Sequence, residues 1–197
     1  MSGTHPLAPL LQALKAAIDW LEDCGVARAV VGGIAASIYG RPRATRDIDV
    51  VAIAEGMNWA ELVNRGSNYG IWPRQEDALD FARTSRVILL EHRPTGVEID
   101  LSIAGIAFEI EMVNSAKLID LAGVSIPVAR PDDILIMKSL ALRPRDIADI
   151  EAILTVQENL DLTRIRNVIS EFSQVLEQED YVSEWDRIVK RALSKRQ

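Results

Sequence analysis

The chain has a single cysteine, Cys24, so no intrachain disulfide is available and a reducing, cytoplasmic setting is expected. No base or cation neighbours Cys24 to mark it as a nucleophile. Histidine is almost as scarce. His5 and His92 have no partners at ligand spacing, which leaves them as structural or surface residues. Aromatic residues make up 5%, and Trp20, Trp59, Trp72 and Trp185 are scattered, as packing residues rather than a base-stacking platform. An excess of basic charge is missing too. The formal net charge of −7 excludes broad, sequence-independent nucleic-acid binding and leaves room only for a local basic patch. The basic end at Lys190, Arg191, Lys195 and Arg196 reads as a solvated terminus, with an RNA contact as the alternative. No apolar run is long enough for a bilayer; the longest, residues 29–40, is short and glycine-rich, so no membrane partner is expected. Residues 1–5 are polar, and no leader is expected. There is no internal repeat and no low-complexity tract.

What is present suffices for a globular core: 197 residues, 48% hydrophobic and 26% charged. Apolar residues recur at helical spacing over residues 7–22, with Pro6 placed to open that helix and Gly25 to close it. A short buried strand is expected at 29–31, a short helix at 34–39 and a second strand at 47–53. Residues 58–64 read as helix and 66–73 as a turn and an extended piece, and 78–83 is left undecided. A hairpin follows, 86–91 and 97–103, turning at Pro94-Thr95-Gly96. In its second strand Val97, Ile99, Leu101 and Ile103 face one way, and Glu98, Asp100 and Ser102 the other. A short helix at 108–114, with strand as the alternative from its β-branched content, and extended pieces at 116–121 and 124–129 complete the mixed part. From Pro131 the pattern is helical throughout, with helices expected at 131–142, 144–155, 162–176 and 182–193. The expected fold class is therefore α+β (mixed α/β): a mixed sheet flanked by helices over residues 1–130, with a C-terminal helical region over 131–197.

The chemistry concentrates in residues 30–53, VVGGIAASIYGRPRATRDIDVVAI. Asp47 and Asp49 are two apart on a strand and share a face, with Cα atoms about 6.5 Å apart from the rise of a strand. Two anions side by side on an apolar strand are costly without a cation to share. The spacing suits divalent ions some 3.5–4 Å apart. If the two strands are neighbours, Asp100 brings a third carboxylate, and three hard oxygen ligands describe a Mg²⁺ site. Taken singly, Asp47 equally reads as a strand-entry acid paired with Arg46, and Asp100 as a solvated hairpin residue. Glu98 shares the face of Asp100 and competes with it as third ligand.

Gly32-Gly33, between a strand and a helix, reads as a phosphate cradle or as a tight turn. It is neither a dinucleotide fingerprint nor a P-loop, since both spacings are absent. Ser37, one helical turn on, either faces the same site or packs between helices. Arg41, Arg43 and Arg46 either clamp phosphates or balance Asp47 and Asp49. Lys138, on an apolar helix, either snorkels or reaches a triphosphate. Arg143, Arg145, Asp146 and Asp149 follow; the acids sit at i,i+3, as a capping acid with surface ion pairs or as support for the site.

These residues together resemble the first motifs of the polymerase-beta-like nucleotidyltransferase superfamily, and most of all its AbiEii-type, toxin-like group. The resemblance rests on Gly32-Gly33, on Thr45-Arg46-Asp47-Ile48-Asp49, and on Lys138 and Arg143 followed by Arg145-Asp146-Ile147-Ala148-Asp149-Ile150, and covers roughly residues 25–155. It implies metal-dependent transfer of a nucleoside monophosphate from an NTP. The metals would be two Mg²⁺ ions, with Mn²⁺ as a substitute, on Asp47, Asp49 and Asp100. It implies Gly32, Gly33, Ser37, Arg46 and Lys138 at the nucleotide, and Arg143, Asp146 and Asp149 in support. The implied acceptor is a hydroxyl on RNA (tRNA among them), protein or a small molecule, with an antitoxin protein as a further implied partner. An antibiotic-type small-molecule nucleotidyltransferase and a non-catalytic nucleotide-binding or interaction protein are the alternatives.

Overall fold

The computed structural model describes residues 7–194, so His5, Pro6, Lys195 and Arg196 lie outside the described residues. Two compact units are formed. Among the described residues, the first comprises 7–33 and 45–129, and the second 34–44 and 130–194.

The first unit is built on a seven-stranded mixed sheet: β1 (Ala27–Val30), β2 (Asp47–Ile53), β3 (Ile71–Pro73), β4 (Val87–His92), β5 (Val97–Ile103), β6 (Lys117–Leu121) and β7 (Val124–Val128). Its order is β3-β4-β5-β2-β1-β7-β6. β2 runs parallel to β5 and β1 parallel to β7, and the other neighbours are antiparallel. Strand register lines up one apolar face: Ile48 stands beside Ile99 and Leu90, and Val50 beside Leu101 and Ile88. All six are buried. At roughly 1.5–3 kcal/mol per buried side chain, this face is a main source of the unit's stability. The sheet is accompanied by α1 (Ala8–Asp23), α3 (Trp59–Gly66), α4 (Ala78–Ser85) and α5 (Ala107–Asn114), with α1 packed on strands β1, β2, β5 and β7.

α1 begins at Ala8, with Pro9 in its first turn. Asn58 caps α3 by accepting from the Ala60 and Glu61 amides. The undecided stretch at 78–83 is helical and runs to Ser85, where Arg86 adopts a left-handed conformation at φ 60° and closes it.

The second unit holds α6 (Pro131–Ala141), α7 (Pro144–Val156), α8 (Leu162–Val175) and α9 (Asp180–Ser194) around Trp185, Ile150, Ile153, Ile165, Ile169 and Ile188. It also holds the body of α2 (Gly32–Tyr39) from Ile34 onward. The expected boundary at 130 leaves residues 34–44 with the first unit, whereas they pack with the second. Gly40 lies so close to α7 that an added Cβ would stand 3.1 Å from Ala152 Cβ, and Gln157 Nε2 donates to the Tyr39 carbonyl at 2.7 Å.

Candidate active site

The expected carboxylates lie on the polar face of the sheet. Asp49 is in register with Asp100, and Asp100 with Leu89. One pleat away, Asp47 is in register with Glu98, Glu98 with Glu91, and Glu91 with Trp72. Cross-strand partners point to the same side of a sheet. Asp47, Asp49, Glu98 and Asp100 therefore form a block of four carboxylates on two adjacent parallel strands, with Glu91 extending it toward the β3 edge. The apolar alternation on β5 forces this placement: burying Val97, Ile99, Leu101 and Ile103 turns Glu98 and Asp100 outward.

Each carboxylate has a defined neighbour. Thr45 Oγ1 donates to Asp47 Oδ1 at 2.9 Å. The Gly33 amide points at Asp49 Oδ2, at 3.4 Å. Gly32 has φ +60°, and a Cβ built there would fall 1.8 Å from Asp49 Oδ2. The two glycines thus let the start of α2 close on the Asp49 carboxylate, and the positive end of a helix dipole favours an anion there. Arg74, just after β3, pairs with both Glu98 and Asp100. Burial raises the proton affinity of Asp100; the Arg74 charge opposes this, and the Asp47 and Glu98 charges add to it. Arg46 is exposed.

The donor set is of the kind a hard divalent cation takes: oxygen ligands only, and crowded like charges. Among the described residues, no three His, Cys, Asp or Glu side chains are gathered closely enough to hold an ion as they stand. Thr45 and Arg74 currently take up part of the oxygens' bonding capacity.

The other expected site residues lie in the second unit, as a buried ionic network. The Lys138 side chain is 8% exposed; its Nζ lies 3.0 Å from Asp146 Oδ1 and 2.7 Å from Asp149 Oδ2. Arg143 Nε reaches Asp146 Oδ2 at 2.7 Å, and the Arg143 amide donates to the same oxygen, capping α7. Arg43 grips Asp149 with two parallel bonds of 2.9 Å. Burial pushes both carboxyl groups upward, but hydrogen bonds from Arg143 and Lys138 to Asp146, and from Arg43 and Lys138 to Asp149, outweigh it and hold both below the usual range. The acids are therefore not surface pairs, and Lys138 is not free to snorkel. The Ser37 hydroxyl lies 3.5 Å from the Arg43 carbonyl oxygen.

Reading the sequence missed Arg74. It follows a three-residue edge strand, and no local pattern ties it to β5; only the register of β3, β4 and β5 does. It also missed Arg43 as the partner of Asp149, a contact across 106 positions.

The fold has solved relatives. The antibiotic-resistance factor ANT(2'')-Ia, in solution, is similar at TM-score 0.60 and 13% identity, covering 91% of this chain and 99% of that one. Its crystal structure with adenylyl-2''-tobramycin gives TM-score 0.57 and 15% identity, covering 85% and 98%. JHP933 from Helicobacter pylori gives 0.51 and 14%, covering 98% and 95%. At these identities the likeness shows the shared mixed-sheet fold. No curated protein matches the chain in sequence. Residues 10–189 match the family described as nucleotidyl transferase of unknown function (DUF2204), and the chain belongs to that family.

Proposed function

We propose that the chain transfers a nucleoside monophosphate from an NTP to a hydroxyl acceptor and releases pyrophosphate, with Asp47, Asp49 and Asp100 as the cation-holding carboxylates. The observation that carries this reading is the register of Asp49 with Asp100, and of Asp47 with Glu98, on one open sheet face. Bound there, a pair of Mg²⁺ ions, or Mn²⁺ in their place, supplies an activated acceptor hydroxyl and charge for the leaving pyrophosphate. The chain's own residues set that up. Thr45 keeps Asp47 aimed at the face. Gly32 leaves the space Asp49 occupies, and the Gly32-Gly33 turn lets the backbone come close to a phosphate. Arg46, exposed just before β2, is the nearest cation in sequence for the same phosphates. Glu98 is the neighbour of Asp47 rather than of Asp49, which supports Asp100 as the third ligand.

For the acceptor, the AbiEii-type resemblance supports RNA or protein and a toxin held by an antitoxin. One observation favours a second reading, a cationic small molecule bearing hydroxyls. The acidic row Asp47, Glu98, Glu91 ends at Trp72, 38% exposed at the sheet edge. The experiment is incubation with each α-labelled NTP, Mg²⁺ and total bacterial lysate, followed by separation of RNA, protein and small molecules. Label in RNA or protein supports the first acceptor class and label in small molecules the second. No label from any NTP, with folded protein, contradicts the transfer reading.

A further inference from the structure

We infer that Arg74 is the resident counter-ion of the carboxylate face, a positioning residue whose guanidinium holds Asp100 and Glu98 in the absence of a divalent cation and competes with that cation for them. The inference rests on the proposed cation-binding role of this face.

Arg74 is anchored by its own backbone. Its amide donates to the Leu89 carbonyl at 3.0 Å, which continues the β3–β4 pairing one residue past Pro73. Leu89 is in register with Asp100, so this bond brings Arg74 onto the row of Asp100 and Asp49. The side chain, 22% exposed, forks between two carboxylates: Nη1 goes to Glu98 and Nη2 to Asp100. Its Nε is buried and has no hydrogen-bond partner. Both terminal nitrogens are thus given to groups two apart on β5, at the cost of a third, unsatisfied donor. The two pairings place its charge against two residues of the anionic block.

The charge arithmetic agrees. Five carboxylates share the face, Glu91 included, and Arg74 is paired to two of them. A divalent ion arriving at Asp100 meets a positive charge already there. Removing that charge must strengthen ion binding, whereas removing a fold-holding contact must weaken it or leave it unchanged.

The test uses the full chain and Mn²⁺ alone, with free Mn²⁺ read by electron paramagnetic resonance. Arg74→Met is expected to bind Mn²⁺ about fivefold more tightly than the parent, the scale of a partly exposed ion pair. Arg74→Lys, which keeps the charge, is expected to return the affinity to the parental value. In chelator, Arg74→Met is expected to melt lower than the parent, and Glu98→Gln added to it is expected to recover part of the loss, because one repelling carboxylate is gone. Equal or weaker Mn²⁺ binding by Arg74→Met, with a parent that binds, overturns the counter-ion role and leaves the cation reading standing. If neither parent nor variant binds Mn²⁺, the cation reading itself fails and the inference fails with it.

Discussion

Gly32 carries the sharpest constraint at the scale of single residues. It needs glycine twice over, for a left-handed φ of +60° and for the space that Asp49 Oδ2 fills. Gly32→Ala is expected to cost at least about 2 kcal/mol, from the left-handed penalty and the overlap together. The overlap is with one side chain, so in an Asp49→Ala background the same change is expected to cost markedly less. Urea denaturation of the four proteins in this cycle measures it; equal costs in both backgrounds would show that Asp49 is not what excludes the methyl group. Part of this was legible in the sequence. Gly-Gly between a strand and a helix flagged a phosphate cradle or a tight turn, and Asp-x-Asp flagged two acids on one face. What could not be read was that the first approaches the second, because β1 and β2 pair through a register no local pattern encodes.

At the scale of elements, α6 and α7 are joined by charge as well as by apolar packing. Lys138 of α6 sits between Asp146 and Asp149 of α7, all three buried. Lys138→Met is expected to destabilise the chain by about 2–4 kcal/mol, somewhat below the cost of fully orphaning a buried ion, because Arg143 and Arg43 remain on the two acids. The pH dependence follows from the same contacts. Both carboxyl groups titrate below their unfolded values. Their contribution is therefore complete above the unfolded carboxylate pKa of about 4 and is lost as pH falls through the lower folded values. Thermal melts are expected to show a steep loss of stability below about pH 4, and a shallower one in Asp149→Asn. A variant with an unchanged acid limb would remove Asp149 from the account.

The elements themselves were largely legible. The alternation on β5 and the proline-opened helices at Pro131 and Pro144 stand where the periodicity puts them. The ionic network was not, because an i,i+3 pair of acids after a proline reads the same whether its face is buried or wet. Burial here is decided by Lys138 and by Arg43, which is 106 positions from Asp149.

At the scale of the whole molecule, sequence and fold agree on a mixed α/β nucleotidyl transferase family member, and no helix among the described residues is long and apolar enough to cross a membrane. The two units differ in how they use charge. The first gathers acids on an open sheet face. The second buries its acids against Lys138, Arg43 and Arg143. The central claim rests on the first: that the face of Asp47, Asp49 and Asp100 is the cation-dependent NMP-transfer centre proposed above. The direct measurement is transfer of label from an α-labelled NTP to lysate acceptors, with Mg²⁺, by the parent chain and by Asp49→Ala, each checked as folded by circular dichroism. The account predicts Mg²⁺-dependent labelling by the parent and none by Asp49→Ala at an unchanged fold. Full labelling by the variant would contradict it.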